Sequence, residues 1–413
     1  MSLVAAAYLG SHFLSLFGNG IAAVALPLIV LQTTGSPLSV GAVSAATAVP
    51  ALLVGLTAGI VLDRLNRRTC SVLADIVSAV AVAAIPLVDV FWGLNMGWFI
   101  ALAIAGSFGD VPGMTARQVL VPAVARHTGV TLERLVGLRQ SMTSIALVIG
   151  PAAAGTLLSL FDGSTVLYLT AATSAAAALL TLVMPHRLGA VDQAPAQRES
   201  LWAQLTAGAA ALRHSRFLSG TVALTVGLVI VIGGLQGLVL PLYFSQLSRP
   251  DLLGFVLTAL AVGMFCGTVI FATVGARLRR RFWMTSALIG TTAGLGLIAT
   301  LTSPAVVFAG AALIGVGNAV LGAVLGVLQA ERIADSVRGR VLSVQNALLQ
   351  VAAPAGIGLA AVVAEYASPV AAACTVVAVW VAVAAAVLIS RALTDLEPAD
   401  DIDGRPAEST VRR

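Results

Sequence analysis

The sequence predicts an all-α integral membrane protein, with twelve transmembrane helices in two pseudo-symmetric six-helix bundles. Three observations carry this reading. The 413 residues are 59% hydrophobic and only 10% charged, which leaves too little polar surface to cover a water-soluble globule. The apolar runs reach the ~20 residues a helix needs to cross a bilayer, and they lack the strict polar alternation of barrel strands. An internal repeat divides the chain: Pro37 and Gly41 recur as Pro250 and Gly254, both displaced by 213 positions.

Taken in order, the spans fall at 8–31, 38–62, 69–91, 97–122, 138–160, 164–184, 219–244, 252–275, 283–302, 304–328, 341–364 and 369–391. No Lys or Arg precedes Arg64, so the N-terminal apolar run lacks the basic start of a cleavable signal peptide and reads as a retained first span. The second span ends where charge first enters, at Gly59 to Arg68, with Asp63, Arg64, Arg67 and Arg68 close together. Spans one to six make an N-terminal bundle, 1–184, and spans seven to twelve a C-terminal bundle, 218–393. The connection 185–217 places Leu201, Leu205, Ala209 and Leu212 at helical spacing, the pattern of an amphipathic helix on the cytoplasmic surface. The acidic, Pro-containing stretch 394–413 reads as a disordered cytoplasmic tail.

Arginine sets the orientation. With both termini cytoplasmic, only Arg249 of the 23 basic residues falls on the far side, as the positive-inside bias requires of a multi-pass protein in the cell's inner (plasma) membrane. The arginines form short clusters between apolar runs and make no single basic face, so the net charge of +5 reflects topology and no nucleic-acid partner. Cys70, Cys266 and Cys374 have neither CxxC nor Cys/His spacing, so neither a disulfide framework nor a metal site is expected. The Gly-rich stretches lie in apolar spans without a following Lys-Ser/Thr, and no triad or paired catalytic carboxylates appear, so enzyme chemistry is not expected.

The stretch Gly59-x-x-x-Asp63-Arg64-x-Asn66-Arg67-Arg68 resembles the loop 2–3 signature of the major facilitator superfamily, with Asn66 where Gly is usual. Asn66 would serve such a turn because Asn tolerates left-handed backbone. In span five, Ala146-x-x-x-Gly150-Pro151-x-x-x-Gly155 is similar to the motif of the family's antiporter members. Ala116-Arg117-Gln118-x-x-x-Pro122, Ser15-x-Phe-Gly-Asn19 and Arg338-Gly-Arg-Val resemble the macrolide-efflux and enterobactin-exporter branch, and Gly113 to Arg117 resembles the Tap-type multidrug exporters within it. The resemblance implies a central cavity lined by spans one, four, seven and ten. It also implies an antiport-type exporter driven by the proton gradient, without a cofactor.

Ionisable groups inside a membrane are costly and mark function. Away from span ends only Asp75 and Asp110, of 18 acidic residues, lie within spans. Asp110 stands in Gly109-Asp-Val-Pro-Gly113, which reads as a loosened stretch of helix. With Asn19, Gln236 and Asn318 at similar depth in spans one, seven and ten, it forms an expected polar layer where a proton, a cationic substrate, or both in alternation would bind. His12 is a candidate proton relay. Asp75 is expected to pair with Arg64, Arg117 or Arg139 and, with Asp63, to form a charge cluster closing the two halves at the cytoplasmic side. Because Asp63 and Gly59 fall on Ala276 and Ala272 under the same displacement, gating charge is expected in the N-terminal half, with the C-terminal loop serving orientation only.

These readings converge on a monomeric proton-coupled exporter of small amphipathic compounds, cationic or macrolide-like, working by alternating access. A dedicated siderophore or metabolite exporter and a non-transporting sensor or scaffold on the same fold are the alternatives.

Overall fold

Twelve helices, each long and apolar enough to cross a membrane, follow one another with no strand among the described residues. The computed structural model describes residues 2–190, 206, 209–210, 212–213, 215–333 and 335–390, but not the side chains of residues 56, 58–64, 111, 276, 330 and 335–340. The helices are α1 (Leu3–Thr34), α2 (Pro37–Arg64), α3 (Arg67–Trp92), α4 (Met96–Thr128), α5 (Leu132–Leu160), α6 (Gly163–Val183), α7 (Arg216–Gln246), α8 (Asp251–Val274), α9 (Arg280–Thr300), α10 (Pro304–Arg332), α11 (Asp335–Tyr366) and α12 (Pro369–Ile389). The expected surface helix lies mainly, and the expected tail wholly, outside the described residues.

Caps set the helix ends. Gly35, at φ 67°, closes α1, and Gly129, at φ 68°, closes α4. Side chains of Ser2, Asn66, Asn95, Asp162, Ser215, Ser303 and Ser368 accept the first free N–H groups of the helices that follow them. This is why α4 overruns the hydropathic limits 97–122: once helix leaves the hydrocarbon, Arg126 no longer opposes it, and it runs on to its cap at Gly129, whereas α5 overruns 138–160 at Thr131 without a side-chain cap bond. Asn66 itself corrects an expectation. Its backbone is extended, at φ −61° and ψ 117°, and its carboxamide accepts from the N–H groups of Arg68 and Thr69 at 3.1 and 3.2 Å. The residue is a helix cap and needs no left-handed turn.

Packing repeats with the sequence. In the N-terminal half α1 packs on α5 and α6, α2 on α4, and α3 on α4 and α6. Six helices later α7 packs on α11 and α12, α8 on α10, and α9 on α10 and α12. The halves meet through α2 with α11 and α5 with α8, contacts that the same pseudo-two-fold exchanges. Both are close backbone approaches. A Cβ at Gly41 would lie 2.5 Å from that of Ala361, and one at Gly254 would overlap the Pro151 carbonyl.

The core is uneven along the membrane normal. One buried cluster joins Ile21, Leu28, Ile85, Phe99 and Val166 of the N-terminal half to the C-terminal half. At the Arg-rich end Tyr8, Leu120, Val124, Leu135 and Met184 form a core of the N-terminal half alone, and Leu218, Ile333 and Val341 another in the C-terminal half. The halves therefore share a core toward the Arg-poor end and keep separate ones at the Arg-rich end.

Candidate functional site

A cavity of about 560 Å³ opens at mid-depth and extends toward the Arg-poor end, within the size range of drug-binding pockets. Among the described residues only Gly233, Gln236, Gly237, Leu257 and Ile357 reach it from the C-terminal half; the rest of its wall belongs to α1, α2, α3, α4 and α6. Most of that wall is aliphatic, including Leu26, Val43, Val82, Ile85 and Leu102, with the aromatic ring of Phe99 among them. Among the described side chains Asp110 is the sole charged one lining it.

Asp110 is held from α3. The Ser78 hydroxyl donates to its carboxylate at 2.8 Å, and both residues face the cavity. The contact depends on close helix approach, since a Cβ at Gly109 would meet the Ser78 Oγ and backbone and one at Gly113 would lie 3.1 Å from Ala74. The glycines around Asp110 thus draw α4 onto α3, and the helix stays continuous, where loosening was expected.

Two of the other three expected polar residues join Asp110. Asn19 and Gln236 line the cavity; Asn318 does not. α10 is held away from it, with Gly315 and Gly317 packed against α8 and α9. Gln236 lies in a π-helical turn, Leu235–Val239, within α7. Such turns recur at functional positions.

One turn toward the Arg-rich end the same α3–α4 seam holds an ion pair. Arg117 Nη2 donates to Asp75 Oδ1, and the residues are 2% and 3% exposed. Asp75 faces Arg117 because Asp75 and Ser78 share a face of α3, as Asp110 and Arg117, seven apart, share one of α4. This pair is internal to the N-terminal half, so it ties α3 to α4 and does not clasp the two halves as expected. Around it lie Tyr8, whose hydroxyl donates to the Arg117 carbonyl at 2.9 Å, and Ser15 of α1. His12 is buried and bonds Thr143 at 2.9 Å. Since the Thr143 hydroxyl already donates to the Arg139 carbonyl, His12 Nε2 must be the donor. His12 does not line the cavity.

The loop motif divides into contacts within its own half. Arg68 donates to the Thr181 and Leu182 carbonyls at 3.3 and 2.5 Å, and Asn66 to the His186 carbonyl at 3.0 Å, so the loop is fastened to the end of α6. Arg67 and Arg139 each keep a buried Nε without a partner. Gly59, Asp63 and Arg64 lie on the last turns of α2, with their side chains outside the described set. The C-terminal copy holds an ion pair of its own, Arg280 to Glu331 at 2.5 and 2.7 Å between α9 and α10. Arg280 thus does more than orient the chain, and its bidentate bond holds the Glu331 carboxyl below the usual range. In α5, Gly150 packs on Gly20 of α1 and Gly155 on Asp251 and Gly254 of α8.

The fold and the match to known sequences agree. The sequence profile of the Major Facilitator Superfamily matches residues 8–249. The chain belongs to the Major Facilitator Superfamily. It is a multi-pass membrane protein of a transporter family, and is similar to the multidrug efflux pump Tap of Mycobacterium tuberculosis, 30% identical over 367 residues covering 85% of this chain and 86% of the relative. Tap of Mycolicibacterium fortuitum is 28% identical, over 84% and 86% of the two chains. Macrolide efflux protein A of Streptococcus pyogenes is 22% identical, over 85% and 87%. Among solved structures, the nucleoside transporter NupG superposes with a TM-score of 0.76 at 16% identity, covering 95% of this chain and 99% of NupG. A bacterial homologue of the lysosomal transporter Spinster, inward-facing and unoccupied, gives 0.70 at 13% identity, over 96% and 98%. At these identities the superpositions speak to fold alone.

Sequence reasoning missed Ser78, Tyr8 and Thr143. Ser78 was legible in principle, three residues beyond Asp75 on one helical face.

Proposed function

We propose that this protein is a proton-coupled exporter of small amphipathic cations in the plasma membrane, a monomer with both termini cytoplasmic, driven by the proton gradient without a cofactor. The observation that carries the proposal is Asp110, the single carboxylate among the described side chains on the wall of an otherwise largely apolar cavity. In such surroundings a carboxylate is neutralised either by a proton or by a bound cation. One site that holds one or the other, never both charges at once, is the simplest device for exchanging them. The efflux pumps and macrolide efflux protein named above support export and a drug-like substrate range.

The uneven core supports alternating access. A core shared at the Arg-poor end and divided at the Arg-rich end is the arrangement of an inward-facing carrier, if arginine marks the cytoplasm. Opening to the other side then requires α2 to part from α11 and α5 from α8, while Asp75–Arg117 and Arg280–Glu331 keep each half rigid as it rocks.

The test is transport in everted membrane vesicles with a panel of fluorescent cationic drugs, macrolides and siderophores, with and without a protonophore. Cationic drugs should accumulate in energised vesicles and the protonophore should abolish the uptake. Uptake of every active compound that ignores the protonophore would overturn proton coupling.

A further inference from the structure

Among the described residues six side-chain hydroxyls line the cavity, and four of them, all but those of Ser44 and Ser174, have already spent their protons. Thr47 donates to the Ser44 carbonyl at 2.9 Å, Ser107 to Ile104 at 2.7 Å and Thr170 to Val166 at 2.8 Å. Ser78 donates to Asp110. A hydroxyl has one proton to give, so these four residues, all on the cavity wall, turn only lone pairs toward its contents. Ionised Asp110 is likewise an acceptor only. Acceptors therefore predominate on the cavity wall, facing it from α2, α3, α4 and α6; among the described side chains no Lys, Arg or His lines it, and its donors are the Asn19 and Gln236 amides and the Ser44 and Ser174 hydroxyls.

We propose that the cavity selects cations that carry N–H donors, namely protonated primary, secondary or tertiary amines, over their quaternary ammonium counterparts. The proposal rests on the reading of this cavity as the substrate site. A quaternary ion meets the charge of Asp110 but brings no hydrogen to the lone pairs it strips of water, and acceptors desolvated without a partner carry a free-energy penalty. A protonated amine replaces the lost water with its own N–H groups. A ligand that needed donors would find them at Asn19, Gln236, Ser44 and Ser174, and elsewhere on the wall would have to pull a hydroxyl away from its present acceptor.

The test is fluorescence titration of the purified full-length protein in lipid nanodiscs with two probes, N-dansyl-1,5-diaminopentane and its N,N,N-trimethyl quaternary derivative. Both carry one positive charge at neutral pH. The ammonium probe should bind about 10-fold more tightly or better, the scale of one or two good hydrogen bonds. In a Thr47→Val, Ser107→Ala, Thr170→Val variant the preference should shrink toward unity. Equal affinities in the native protein, tighter binding of the quaternary probe, or binding of neither would each overturn the proposal, as would a folded variant that keeps the full preference. The native comparison decides the matter even where the variant does not fold. A preference in binding with no uptake of either probe by everted vesicles would sink the transport reading and leave this one standing. Energised uptake of both at equal affinity would do the reverse.

Discussion

Asp75 and Arg117 sit almost wholly out of water, and each makes the other's burial tolerable. Removing one partner strands a charge, so Asp75→Ala or Arg117→Ala should each lower stability by roughly 3–5 kcal/mol, measured by thermal unfolding in detergent micelles. The double variant should lose less than the sum of the two, and strict additivity would mean that the residues do not act as a pair. At this scale the sequence was partly legible. Asp75 and Asp110 stood out because an acid inside an apolar span is expensive. Ser78, Thr143 and Thr170 did not, because a Ser or Thr in a membrane helix ordinarily bonds its own backbone, and only the approach of α3 to α4 at Gly109 reveals which hydroxyl meets a carboxylate. Asn318 failed as a cavity residue for a related reason: its depth could be read from the sequence, but the face of α10 turned to the cavity could not.

At the scale of the element, helix ends follow caps and not hydropathy. Asn66→Ala should cost about 1 kcal/mol through loss of the cap on α3, with Asn66→Gly costing less. Equal costs for both substitutions, read from the same unfolding assay, would place the effect in the bond to the His186 carbonyl instead. The Arg280–Glu331 pair joins α9 to α10 beyond the apolar part of either helix. Its folded carboxyl titrates below the ordinary glutamate value, chiefly through the Arg280 hydrogen bonds. Its contribution to stability is therefore complete above that ordinary value and fades as the pH falls through the lower, folded one. With Glu331 44% exposed the effect is small and screened by salt. Arg280→Gln should remove this acid-side loss from the pH dependence of melting, and an unchanged profile would contradict the pairing.

The whole molecule was legible where physics repeats along the chain: twelve apolar runs, Arg clusters on one side, and Pro37 and Gly41 echoed by Pro250 and Gly254. The two-fold packing of α2 on α11 and α5 on α8 follows that echo, since Gly41 and Gly254 are among the positions at which the helices approach closely across the halves. What the repeat concealed is asymmetry, for the cavity lies almost entirely in the N-terminal half. At the Arg-poor mouth Glu365 of α11 accepts from Ser36 Oγ at 2.8 Å and Leu38 N at 3.2 Å, across the halves. Cysteines at Ser36 and Glu365, in a background with the native cysteines replaced by Ser, should therefore cross-link readily in the resting protein. Gly254→Leu, which wedges α8 from Pro151, should slow that reaction several-fold, an effect of overpacking. An unaltered rate would mean that the α5–α8 contact does not hold the mouth closed.

The central claim is that Asp110 exchanges a proton for a cation. Proteoliposomes containing the purified protein, loaded with a transported fluorescent cation and given an imposed pH gradient, test it through Asp110→Asn. The account expects the native protein to drive the cation against its gradient and the variant to lose gradient-driven transport while remaining folded by melting temperature. Full proton-driven transport by Asp110→Asn would contradict it.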